Sequence, residues 1–193
     1  MKFAIATHNL HKLEELKRIL QPLGVDVVPA EYNDVEETGT TFAENALLKA
    51  EAACKAMGIP AVADDSGLSV DALNGEPGVY SARWAGENAT DKERYEKLLD
   101  KMKDVPKGKR SAKFVSAVCC AFPDGRKVEA LGECPGEIAF APAGEDGFGY
   151  DPVFLVGDKT YAQMTPEEKD AVSHRGKALR MFVEYLKNGD YLN

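Results

Sequence analysis

Four cysteines in 193 residues, none in C-x-x-C spacing, exclude a thioredoxin-like redox pair and the paired-cysteine zinc motifs. Cys54, Cys119, Cys120 and Cys134 are expected as reduced core thiols, and adjacent Cys119 and Cys120 lie in a strand-like run where neighbours face opposite sides. No apolar run approaches the roughly 20 residues that a membrane helix needs. The opening MKFAIATHN is a short strand-like run, not a charged region followed by a long apolar stretch. The expectation is a soluble cytoplasmic protein with no membrane partner. Basic residues are in deficit, 24 against 32 acidic ones, giving a formal charge of −8. This argues against long nucleic acid as a partner, because polyanion binding relies on a basic face. A small anion remains open to the chain, through a local Lys/Arg cluster or a divalent cation. Neither G-x-x-x-x-G-K-[ST] nor G-x-G-x-x-G occurs, so a Walker loop and a dinucleotide fingerprint are both absent. With only three histidines in the chain, zinc at His8 and His11 is disfavoured.

What is present reads as one α/β domain over 1–193, or two closely joined lobes. At 44% hydrophobic it is long enough to bury a core. KFAIAT reads as a strand, and Leu13, Leu16 and Leu20 then recur at helical spacing until Pro22 and Gly24. TFAENALLKAEAACKAMG is a second helix, with Thr41 and Glu44 in capping-box spacing and Gly58 just past its end. IPAVADDS comes next as a strand that is expected to stop at a Ser66–Gly67 turn. Thr90 and Glu93 cap a third helix, and PDG joins a hairpin between AKFVSAVCCAF and RKVEALGE. The Gly-rich loop APAGEDGFGYDP leads into the strand VFLV. A last helix or helix pair starts near Thr165, with Pro166 at its first position.

Two constellations suggest chemistry. ATHNLHK sets a helix start, the Asn9 amide and the Lys12 ammonium just beyond a strand end, an anion site in outline. The competing reading is a solvated first-turn lysine. Asp64 and Asp65 stand together after a buried strand, yet adjacent strand residues point to opposite faces. One is expected to support the turn. A second acidic cluster, DVEETG, with Glu36 and Glu37, precedes the second helix. Carboxylates converging from two segments suit Mg²⁺, which takes one or two protein oxygens and completes its octahedron with water and phosphate.

Thr7, Asn9 and Lys12 in TxNxxK, then EETGTTFAENALLKA, ADDSGL, PGVYSARWAG, GFGYDP and SHR, succeed one another in one order along almost the whole chain. In this the sequence resembles the inosine triphosphate pyrophosphatase family, with His8 standing where many members carry a small residue or Lys. The resemblance implies a long mixed sheet flanked by helices in two lobes with an active-site cleft between them. It implies hydrolysis of ITP, dITP and XTP to the monophosphate and pyrophosphate, and homodimerisation. Carried over residue by residue, it implies that Thr7, His8, Asn9, Leu10, His11 and Lys12 cradle the triphosphate. Asp65 would be the general base, and Glu37 with Asp65 would hold Mg²⁺. Ser66 would touch substrate, and Phe148, Gly149, Tyr150 and Asp151 would wall the nucleoside. Lys169, His174 and Arg175 would contact base or phosphates, and Lys49 a phosphate.

The residue types agree with that implication. Aromatics on a Gly-rich loop offer a stacking face, and Arg and Lys donors suit a 6-oxo group while opposing a 6-amino group. A related pyrophosphatase acting on pyrimidine or modified nucleotides is the rival enzyme reading. A nucleotide-binding module without turnover is the rival of another class, and the acids Glu37, Asp64 and Asp65 count against it.

Overall fold

The computed structural model describes residues 1–189 and 191; residues 190, 192 and 193 of the expected 1–193 domain fall outside that description. Seven strands form one mixed sheet in the order β2-β1-β3-β4-β5-β6-β7. They are β1 (Lys2–Ile5), β2 (Asp26–Pro29), β3 (Ala61–Val70), β4 (Ser111–Ala121), β5 (Lys127–Ile138), β6 (Phe154–Val156) and β7 (Lys159–Thr160). β1 pairs in parallel with β2 and β3, whereas β5, β6 and β7 pair antiparallel. The helices are α1 (Leu10–Leu20), α2 (Phe42–Met57), α3 (Asp91–Lys101), α4 (Pro166–Val172) and α5 (His174–Asn188). Both expected capping boxes are present, Thr41 with Glu44 on α2 and Thr90 with Glu93 on α3. Gly58 ends α2 at φ 68°, a left-handed position that glycine adopts without strain.

The chain divides into two compact units. The first takes residues 1–66, 116–133 and those from Ser173 onward; the second takes 67–115 and 134–172. In the first unit, period-2 alternation sends Phe3, Ile5, Val62, Val118 and Cys120 to one sheet face. There they pack on Leu16, Ile19 and Leu20 of α1 and on Leu179, Phe182 and Leu186 of α5. Ala4, Ala6, Ala61 and Ala63 go to the other face, under Ala50, Ala53 and Cys54 of α2. Cys120 and Cys119 separate the same way, and all four cysteines are free and buried. The second unit has its own core, in which Phe114 meets Phe154 edge-on at 4.7 Å and stacks on Tyr161 at 5.6 Å.

One expectation fails here. No turn interrupts β3 at Ser66–Gly67; the strand runs on to Val70, and the chain turns only at the 3-10 helix Asp71–Leu73, with Asn74 at φ 54°. The reason is burial: Leu68 and Val70 continue the alternation into the second unit's core, and the Leu68 N–H donates to Ser81 Oγ at 2.9 Å.

Candidate active site

Because β3 does not bend, Asp64 and Asp65 leave it on opposite faces. Asp64 goes with Val62 toward α1 and α5. Its carboxylate accepts from Ser116 Oγ at 2.7 Å, lies 2.9 Å from Lys12 Nζ, and takes Arg175 Nε at 3.2 Å and Nη2 at 3.3 Å. Arg175 also donates through Nη2 to Ser66 Oγ at 2.8 Å and through Nη1 to Glu15. The charges alternate along the ladder Glu15, Arg175, Asp64, Lys12. Burial alone would raise the Asp64 carboxyl, but Arg175 and Lys12 outweigh it and hold the group below the ordinary carboxylate range. Burial pulls the Lys12 ammonium down, and Asp64 opposes it. Asp64 is thus an ion-ladder residue, and since β3 has no turn at Ser66–Gly67, neither aspartate supports one there.

Lys12 stands at the more exposed end of the ladder, its side chain 16% accessible against 8% for Glu15 at the other end. Around it, Asn9 caps α1 by accepting from the Lys12 N–H at 3.1 Å, and Thr7 Oγ1 accepts from the Asn9 N–H at 3.1 Å. His8, Asn9, Leu10 and His11 are exposed along this helix start. His8 stacks on Tyr32 at 4.7 Å with Nε2 3.7 Å from Asp34.

Asp65 points toward α2, as Ala61 and Ala63 do. Its Oδ1 accepts from the Ser66 N–H at 3.1 Å, and Lys49 Nζ stands 3.8 Å from it and 3.2 Å from Glu37 Oε1. Asp65 Oδ2 is buried without a hydrogen-bond partner. Burial pushes this carboxyl up, and Glu37 and Asp64 add to the rise against the opposing pull of Lys49 and Lys12. The two adjacent aspartates are driven apart: one is held ionised, the other has a raised affinity for a proton. Such a pair separates a charge anchor from a proton acceptor. Among the described residues no group of three or more His, Cys, Asp and Glu stands ready to hold a metal. Glu37 and Asp65 are a two-carboxylate set, already accepting one cationic group, with one oxygen unspent. That suits a hard cation taking one or two carboxylates.

In the second unit Asp151, 3% exposed, takes Lys169 Nζ at 2.7 Å and the Phe148 N–H at 3.0 Å on one oxygen. Lys169 Nζ also lies 4.8 Å from the centre of the Phe148 ring. Gly147, at φ 76°, lets this carboxylate approach, since a Cβ there would come within 2.1 Å of Asp151 Oδ2. Asp151 thus ties the loop down. The resemblance puts Tyr150 in a nucleoside wall, but its ring is 4% exposed in the second unit's core and its hydroxyl donates to the Ser81 carbonyl at 2.7 Å. Burial explains this: Tyr150 lies inward while Phe148 and Gly149 stay half-exposed. The resemblance likewise puts Arg175 on base or phosphates; the residue is 1% exposed and its guanidinium donates to Asp64, Glu15 and Ser66. His174 is the first residue of α5, buried behind the Ser173 cap.

Sequence reasoning missed Glu15, Ser116 and Asn45. Each left a signal: a polar residue placed where the pattern is apolar. Glu15 sits beside Leu16 on the buried face of α1, and Ser116 interrupts the buried run of β4. Asn45, fully buried on α2, accepts from the Gly39 N–H at 2.7 Å.

The profile of the Ham1 family matches residues 3–185. A dITP/XTP pyrophosphatase of Shigella flexneri is 48% identical over 195 residues, covering 97% of this chain and 99% of that protein. One of Nocardia farcinica is 52% identical, covering 94% of this chain and 93% of that protein. A solved HAM1 protein from Coxiella burnetii superposes with TM-score 0.87 at 42% identity, covering 97% of this chain and 99% of that one.

Proposed function

This chain belongs to the Ham1 family, and from that premise we propose that it hydrolyses dITP, XTP and ITP to the nucleoside monophosphate and pyrophosphate, cleansing the nucleotide pool. The observation that carries the mechanism is the divergence of Asp64 and Asp65 across β3: the ionised Asp64 braces Lys12, while Asp65 keeps an unpartnered oxygen and a raised proton affinity.

In this reading Thr7 to Lys12 receive the triphosphate, with the α1 amides and the Lys12 ammonium facing its charge. Asp65 orients a water and accepts its proton as the water oxygen bonds to the α-phosphorus and the bond from that phosphorus to the bridging oxygen breaks. Pyrophosphate leaves with the electron pair. Glu37 and Asp65 would hold Mg²⁺, which when bound would supply positive charge to the phosphate oxygens. Lys49, next to both carboxylates, adds charge to the same place. Ser66, Phe148, Gly149, Lys169 and His174 are the remaining substrate contacts. Asp151 acts by fixing Lys169 and Phe148. Homodimerisation and a cytoplasmic setting complete the proposal; no helix among the described residues is long and apolar enough to cross a membrane.

The test is to incubate ITP, dITP, XTP and ATP with the protein and Mg²⁺ and to measure pyrophosphate and orthophosphate separately. Pyrophosphate should be the direct product from the first three, with activity lost to EDTA and restored by Mg²⁺. Orthophosphate with a nucleoside diphosphate would refute attack at the α-phosphorus.

A further inference from the structure

Among the described residues, three buried side-chain polar atoms lack a hydrogen-bond partner: Tyr32 Oη, Asn45 Nδ2 and Asp65 Oδ2. Two of them, Asp65 and Asn45, are tied by contacts to Glu37 or to the segment that follows it. Asp65 shares the Lys49 ammonium with Glu37. Asn45 reaches the segment two residues beyond Glu37, where its Oδ1 accepts from the Gly39 N–H at 2.7 Å. That bond also fixes which end of the amide faces the loop: an N–H donor at Gly39 requires the oxygen there, so Nδ2 is the idle end.

Leaving a buried amide donor unspent is costly, so its retention calls for a partner. Asn45 and Lys49 are four residues apart on α2 and therefore share a helix face. The approach is close: a Cβ on Gly39 would lie 2.6 Å from Asn45 Oδ1. The loop is held at its other points too, with Thr40 and Thr41 N–H groups donating to Glu44 Oε2 at 2.6 and 3.2 Å.

We propose that Asn45 is a positioning residue for the divalent cation: its oxygen fixes the Glu37 segment through Gly39, and its Nδ2 donates to a water or phosphate oxygen around the ion. The inference rests on the reading that Glu37 and Asp65 hold that ion. Outer partners of this kind matter because they set the direction of the ligands that touch the metal.

Mn²⁺ affinity, read by the loss of free-ion electron paramagnetic resonance signal, separates this role from a merely structural one. It is measured on wild type, Asn45→Ala, Gly39→Ala, Glu37→Gln and Asp65→Asn, with thermal unfolding recorded without metal. Asn45→Ala and Gly39→Ala should each weaken Mn²⁺ binding by about 10-fold or more in protein that is still folded. If both bind Mn²⁺ within about twofold of wild type while Glu37→Gln and Asp65→Asn weaken it, Asn45 is not a positioning residue, whatever happens to the melting temperature. If Glu37→Gln and Asp65→Asn also leave binding unchanged, the cation site itself is refuted and the role of Asn45 with it. Should Asn45→Ala fail to fold, Gly39→Ala decides, since it opens the same bond from the half-exposed loop side.

Discussion

Asp64→Asn exchanges one carboxylate oxygen for an amide at nearly constant volume, yet it removes the anion shared by Lys12 at 2.9 Å and Arg175 at 3.2 and 3.3 Å. Two unit pairs at such separations are worth about 5–6 kcal/mol each at an effective dielectric near 20, or roughly 11 kcal/mol gross. Desolvation of the buried carboxylate takes back several kcal/mol, and the net loss on removing one partner of a buried pair is about 3–5 kcal/mol. For a chain of this length that corresponds to a fall in Tm of roughly 6–20 °C, at about 2–4 °C per kcal/mol. The direction of the shift sets the pH dependence. The folded carboxyl titrates below its ordinary value of 3.8, so its contribution is complete above that pH and is lost as pH falls through the folded value. Urea unfolding of wild type and Asp64→Asn should therefore show the full gap at about pH 7 and a shrinking gap below about pH 4. A gap under about 1 kcal/mol near neutrality, or one that widens on acidification, would refute the ladder as a source of stability.

The other aspartate should behave in the opposite sense. Asp65→Asn should lower kcat by about 10²–10⁴-fold through loss of the proton acceptor. It should not destabilise the fold: the Asp65 carboxyl titrates above 3.8, so its ionisation costs stability as pH rises through that window, and the amide escapes this cost. Steady-state rates and urea unfolding of the one variant check both halves. In the second unit, Asp151→Asn removes a carboxylate partner of Lys169, both side chains being 5% exposed, and should cost about 3–5 kcal/mol while raising KM more than it lowers kcat. Unchanged stability would remove Asp151 as the loop's anchor.

The elements are legible wherever local chemistry decides them. Thr41 with Glu44 and Thr90 with Glu93 announce their helices because a capping box is satisfied within four residues. The Asp-Gly hairpin and the break at Pro22 and Gly24 are likewise local. The expected β3 turn fails because Ser-Gly makes a turn only where the next residues are left unburied. Leu68 and Val70 find a core built by α3, β4 and residues near 150, which no short window contains. The same distance effect hides the ladder: Arg175 and Asp64 are 111 residues apart, and Arg175 and Glu15 are 160 apart.

Strand alternation, by contrast, holds through β3 and accounts for the adjacent acids. A straight strand cannot aim two neighbours into one place, so the two carboxylates are given to two different helices. Asp64 meets cations from α1 and α5, and their charge outweighs its burial. Asp65 faces α2, where the nearer lysine is shared with Glu37, and burial prevails. One register step along β3 thus gives identical side chains opposite shifts in proton affinity, lowered at Asp64 and raised at Asp65. Moving the pair by one residue would exchange those shifts, since each face, not the aspartate it receives, carries the charges that set the outcome.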